Sequence, residues 1–191
     1  MDTATLPVKL FETQSEFEEW LCENGSTTTE VWLKMYKKAS EKKSLNHDQA
    51  LEVALCYGWI DGIAHSYDAE SHVQRFTPRT KKSKWSKVNT QHVERLISEG
   101  KMHEQGLKVI EDAKADGRWD AAYDSPKNAS FPPEFLEMLE KNEKAKVFFD
   151  TLKRTNIYAM TYRLQNAKKP ETKDRLMNQF IEMLERGETF H

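Results

Sequence analysis

Three side chains with chemical potential sit at even spacing in the stretch LCYGWIDGIAHS: Trp59, Asp61 and His65. On a β-strand, residues two and four apart share a face. An aspartate on the same face as a histidine can orient the ring for acid–base work. Asp61 and His65 are therefore the candidate catalytic pair. The same residues also have a structural reading. Asp61-Gly62 would shape a turn or bulge, and His65 would pair across a hairpin with a polar neighbour such as His72.

The second candidate follows directly. From Ser71 to Val93 the chain carries six basic residues (Arg75, Arg79, Lys81, Lys82, Lys84, Lys87) and no acid. Phe76 and Trp85 lie among them. Guanidinium groups grip phosphate or carboxylate bidentately, and an aromatic ring offers a stacking platform. The candidate ligand-binding set is Trp59, Asp61, Arg75, Phe76, Arg79, Lys84 and Trp85, and its ligand a small anion. The alternative is a solvated basic loop that pairs with the acidic N-terminal segment, with Trp85 anchoring the loop to the core. That segment, residues 1–30, holds seven acids against the single base Lys9.

Other chemistries lack their residues. The six histidines (His47, His65, His72, His92, His103, His191) show no HExxH spacing, and Cys22 and Cys56 form no CxxC, so no metal site is expected. No GxSxG, Walker A or GxGxxG motif occurs, and no cofactor is expected. A net charge of −2 and the lack of a known motif argue against duplex nucleic acid. No apolar run reaches membrane-spanning length. The start, MDTATLPVKLFE, has neither a basic nor an apolar targeting region. With two unpaired cysteines, this sets the expectation of a cytoplasmic protein with reduced thiols.

The elements that must position these residues are legible from periodicity and capping. With 38% hydrophobic and 31% charged residues, the 191-residue chain suits a soluble α+β protein, mostly helical. Val8–Phe11 reads as a short extended entry. Thr13 with Glu16, and Asn46 with Gln49, are capping signatures for helices that stop near Gly25 and Gly58. Between them Val31–Tyr36 alternates as a strand, with large side chains on both faces. Trp59–Tyr67 and His72–Thr77 read as a hairpin that Pro78 ends. Asn89 or Thr90 caps a helix carrying Val93, Leu96 and Ile97. The next helix carries Leu107, Ile110 and Ala113. The expected sheet is small and antiparallel, of about three strands. A boundary is expected near Ser125–Ser130, between an N-terminal α+β domain over 1–126 and a C-terminal helical domain over 131–188. The latter shows stripes at Phe135, Leu136, Leu139; Ala145, Phe148, Phe149, Leu152; Ile157, Met160, Leu164; and Leu176, Phe180, Met183, Leu184.

Several ordered motifs resemble the bacteriocin-protection, YdeI/OmpD-associated proteins of bacteria. They are ALCYGWIDG (Ala54–Gly62), QRFTPR (Gln74–Arg79), SKWSKVN (Ser83–Asn89), ERLISEGKM (Glu94–Met102), AKADGRWDAAYDSP (Ala113–Pro126), AKKPET (Ala167–Thr172) and MLERGET (Met183–Thr189). The resemblance spans most of the chain. It implies a link to protection against bacteriocins and antimicrobial peptides and to an outer-membrane porin, and brings no reaction or catalytic residue.

The leading expectation is a non-enzymatic binding protein of bacterial stress or envelope-peptide resistance, with an anionic ligand or protein partner at the Trp59–Asn89 surface. A small-molecule enzyme using Asp61 and His65 beside an arginine clamp is the second. A structural module whose C-terminal bundle docks a partner helix is the third.

Overall fold

A computed structural model of the chain describes residues 7–125 and 128–190. Its elements run β1 (Val8–Lys9), α1 (Gln14–Asn24), β2 (Val31–Tyr36), α2 (His47–Cys56), β3 (Trp59–Ser66), β4 (Ser71–Pro78), α3 (Lys87–Ser98), α4 (Glu104–Ala115), α5 (Pro133–Glu140), α6 (Glu143–Phe149), α7 (Arg154–Asn166) and α8 (Pro170–Glu185). The class is α+β, as expected. The sheet has four strands rather than about three, in the order β1-β2-β4-β3. It is mixed rather than antiparallel, because the two-residue β1 pairs parallel to β2. Two residues carry no periodicity, so the extended entry at Val8 does not announce itself as a strand.

The chain divides into two compact units. One holds the described residues up to Trp85 together with Asn89–Ala121; the other holds Ser86–Val88 and the described residues from Ala122 onward. Part of the expected boundary loop, Pro126 and Lys127, lies outside the described residues.

Local signals place the elements of the first unit. Thr13 caps α1 by accepting from the Glu16 amide, while the Glu16 carboxylate reaches back to the amide of Glu12. Asn46 and Gln49 form a complete capping box on α2. Gly25 ends α1 in a right-handed conformation, so its role is not the left-handed turn usual for a terminal glycine. A Cβ there would lie 2.5 Å from the Leu21 carbonyl oxygen, and only glycine fits. Gly58 and Gly100, by contrast, adopt positive φ of 74° and 68°, where glycine avoids the strain of a side chain. Helix α3 begins at Lys87, ahead of the expected cap. Leu107 is on the exposed side of α4, where Gly106, Ile110 and Ala113 face inward.

An aromatic cluster fills the space between α1 and the sheet. The Phe17 ring stacks on Phe11 at 5.2 Å and meets Phe76 edge-on at 5.9 Å; Trp20 meets Trp59 edge-on at 6.2 Å. Leu33, Met35, Leu51 and Leu55 extend this core.

The second unit is all helix among its described elements. Phe135, Leu139, Ala145, Met160, Leu164, Met177 and Phe180 form its core, with Phe131, Phe148 and Phe149 packed at the margin. Pro133 and Pro170 occupy first helical turns, as their fixed φ and missing N–H favour. Leu136 is exposed rather than inward.

Candidate functional site

Strand β4 positions the centre of the site. Arg75 and Thr77 are two residues apart and share the sheet face that also carries Trp32, the register partner of Arg75. The Arg75 guanidinium is only half-buried. It grips Glu30 Oε2 through Nε at 2.9 Å and Nη2 at 2.6 Å. The other Glu30 oxygen accepts from the Trp32 indole N–H at 3.2 Å. Glu30 closes the α1–β2 loop, so this carboxylate ties the loop to the sheet.

Past Pro78 the chain makes a tight polar turn. The Thr80 amide donates to Ser83 Oγ at 2.9 Å, and the Ser83 amide donates to the Thr80 carbonyl at 3.0 Å. Arg118, itself held by Asp116, donates to the carbonyls of Thr80 and Ser83 at 3.3 and 3.4 Å. Lys81 and Lys82 project from this turn into solvent.

Loop, strand and turn enclose an open groove of about 560 Å³. Gly25, Ser26, Thr27, Thr28 and Thr29 form one wall; Arg75, Thr77 and Pro78 form the floor; Thr80 and Ser83 form the other wall. Seven of these ten residues carry hydroxyls, and none is aromatic. The groove holds one charged side chain, Arg75. Of these ten, only Arg75 belongs to the ligand-binding set expected from the sequence. The visible signal for the others is the unbroken hydroxyl run Ser26–Thr29 beside Glu30.

Residues 9–109 match the family model of a domain of unknown function (DUF8412), which is more than half of the chain. Residues 128–187 match the model described as Bacteriocin-protection, YdeI or OmpD-Associated. The chain belongs to the DUF8412 family and carries a C-terminal YdeI/OmpD-associated domain. No curated protein and no solved structure matches it. The motifs from Ala54 to Met102 thus fall in the DUF8412 match, which narrows the YdeI/OmpD resemblance to the C-terminal part. The groove lies wholly within the DUF8412 match.

The other expected site residues of the DUF8412 domain fall elsewhere. Trp59, Phe76 and Trp85 are 1%, 0% and 2% exposed. Their rings are core, because the alternating strand turns them inward onto α1 or, for Trp85, onto Trp119 at 4.9 Å. None can serve as a stacking platform for a ligand. Arg79 is buried too. Its guanidinium lies 3.5 Å from the Trp85 ring centre and donates to the Lys84 carbonyl at 3.0 Å. Lys84 itself is exposed.

Asp61 and His65 do not form a pair. A register shift between Asp61 and Ala64 breaks their even spacing, so Asp61 sits opposite Phe76 while His65 sits opposite Val73. The buried Gln74 side chain fills the irregularity by donating to the Gly62 carbonyl at 2.8 Å. His65 stacks on Trp32 at 5.4 Å rather than pairing with His72, whose partner on β3 is Ser66.

Asp61 bonds instead to His47, the first residue of α2, at 3.1 Å from Nε2; His47 Nδ1 lies 3.4 Å from Asp48. The hydrogen bond to Asp61 raises the His47 pKa above its usual 6.5, against the lowering effect of burial. A raised folded-state pKa stabilises the fold below the unfolded value, and the benefit fades as pH rises through the folded pKa. Wild-type stability should therefore fall from about pH 6 to 8 by a component absent in Asp61→Asn. Urea titrations across that range check this, and parallel profiles for the two proteins would refute it. Proton NMR should place the His47 pKa above 6.5 in the wild type and lower in the variant.

The Cys56 thiol, buried in the DUF8412 domain, is pushed up to about 11 by desolvation, which makes it a poor nucleophile at neutral pH. Among the described residues, no three His, Cys, Asp or Glu side chains gather as metal ligands, and no helix is long and apolar enough to cross a membrane.

Proposed function

We propose that this chain is a non-enzymatic accessory protein of bacteriocin protection that binds a small anionic ligand in the Arg75 groove. The YdeI/OmpD-associated match supports the first half. One observation carries the second: a half-exposed arginine at the floor of a groove otherwise lined by hydroxyls and small residues. An incoming anion would compete with Glu30 for Arg75. A surface ion pair of this exposure is worth only about 0–1 kcal/mol, so the exchange costs little. Serine and threonine hydroxyls then supply neutral donors to the remaining oxygens. The acid–base reading loses its pair, since Asp61 and His65 engage different partners. The free Cys22 and Cys56 suit a cytoplasmic, reducing setting, which cell fractionation tests.

All five tryptophans lie in the first unit, so tryptophan fluorescence follows its unfolding. Inorganic phosphate, sulfate and citrate can be titrated against thermal melts read this way. An anion present at a hundredfold its dissociation constant should add about 2.7 kcal/mol of stability. The gain should vanish in Arg75→Ala. If none of the three anions raises the wild-type melting temperature, the anion reading falls for this panel.

A further inference from the structure

We infer that the groove takes a phosphorylated polyol, of sugar-phosphate size, in preference to inorganic phosphate or a nucleotide; this rests on the anion-binding reading above. Three features of the groove carry the inference. Its volume of about 560 Å³ exceeds what a lone phosphate fills and lies within the range of small-molecule sites. Its two sides differ in charge. Arg75 on the floor presents a cation. The opposite wall starts at Gly25, the C-terminal end of α1, where the helix dipole is negative. That wall favours the neutral part of a ligand over its phosphate, and its Ser26–Thr29 side chains offer hydroxyls to it. A ligand that satisfies both sides is anionic at one end and hydroxylated at the other.

The lining chemistry agrees. A serine or threonine hydroxyl both donates and accepts, and so matches the hydroxyls of a polyol one for one. Ser26, Thr28 and Thr29 stand on the wall where those hydroxyls would lie, and Thr77 stands beside Arg75 on the same strand face. A nucleobase finds nothing comparable, because no aromatic side chain lines the groove to stack on it. Trp59, Phe76 and Trp85, the nearest candidates by sequence, are all buried.

Isothermal titration with inorganic phosphate, ribose 5-phosphate and AMP tests the inference on the full chain. Ribose 5-phosphate should bind at least about tenfold more tightly than phosphate, the effect of roughly one or two net hydrogen bonds. AMP should gain nothing over ribose 5-phosphate. Thr77→Val keeps the side-chain shape and removes one hydroxyl. It should weaken ribose 5-phosphate by more than it weakens phosphate, and so erode the sugar-phosphate advantage, with a fluorescence melt confirming the fold; equal weakening of the two would count against the polyol inference. Arg75→Lys should weaken phosphate and ribose 5-phosphate alike. If ribose 5-phosphate binds no better than phosphate, the polyol inference is lost while anion binding stands. AMP binding tenfold tighter than ribose 5-phosphate would make the groove a nucleotide site and overturn the inference. Should none of the three bind, the anion reading falls with it.

Discussion

Replacing Gly106 by alanine should destabilise the first unit by about 3 kcal/mol or more, the upper end of what overpacking costs. In a free helix the same change would stabilise by about 1 kcal/mol, since alanine outranks glycine in helix propensity. Context reverses the sign. Helix α4 approaches the end of α2 backbone to backbone, and the His103 amide donates to the Cys56 carbonyl at 3.1 Å. A Cβ on Gly106 would overlap the Cys56 carbonyl oxygen, lie 2.9 Å from its carbonyl carbon and 2.8 Å from Met102 Cε. The methionine could swing aside; the carbonyl belongs to the backbone and cannot. The seam tightens further at Gly58, where a Cβ would meet Val109 at 3.0 Å. Gly100→Ala is the control. Its φ is +68° but nothing lies within 4 Å of the added carbon, so only backbone strain of about 1–2 kcal/mol is expected. Tryptophan-monitored denaturation in urea gives both values. Equal midpoints for the two variants would mean that α4 does not dock as described.

Such a close approach is invisible in a sequence, where Gly106 reads as a weak point in a helix. What was legible were features set by neighbours along the chain. Capping signatures at Thr13 and Asn46 and the stop glycine at Gly58 act over a few residues and mark helix ends directly. The β3–β4 hairpin declares itself by alternation and by the Pro78 stop. Alternation says that two faces differ, but not which one the core takes. That is why Trp59 and Phe76, set in a basic context, read as a ligand platform and turned out to be core. A single-residue irregularity after Asp61 was enough to undo its pairing with His65, and nothing in Gly62-Ile63 states which way the slip goes. The real partner of Asp61 is His47, fourteen positions away on another element. The groove escaped for a related reason. Its hydroxyls come from three separate segments, and hydroxyl residues are so common in loops that the run Ser26–Thr29 draws no notice until β4 brings Arg75 beside it.

Trp85→Ala should cost about 3–5 kcal/mol, the range for deleting a large buried aromatic, and should also blunt the anion binding proposed for the groove, which the ring does not line. The indole is 2% exposed and sits between two partners. On one side the Arg79 guanidinium lies 3.5 Å from its centre; on the other Trp119 lies at 4.9 Å, with the Lys114 ammonium 5.0 Å above the Trp119 ring. A desolvated cation over an indole is worth about 2 kcal/mol beyond area burial. Removing the indole therefore leaves both a cavity and a buried guanidinium stripped of its ring. Trp85 anchors the basic segment to the core, which is one part of the alternative its sequence left open. Arg79 sets the start of the turn through the hydrogen bond its backbone amide donates to the Gly58 carbonyl at 2.9 Å, and its side chain holds the Lys84 carbonyl at the other end. Between those ends lie Thr80 and Ser83, one wall of the groove, and the exposed Lys81 and Lys82. Arg79→Lys keeps the charge yet loses the planar fork and the face-on stack, so it should destabilise as well, by less than Trp85→Ala. A double-mutant cycle between Arg79→Met and Trp85→Phe isolates the coupling, expected at about 1–2 kcal/mol. A coupling near zero would reduce Trp85 to simple filler. Groove binding by Trp85→Ala, measured at a temperature where its melt shows the unit still folded, separates the two consequences. Wild-type affinity there would mean that the Thr80–Ser83 wall stands without the clip.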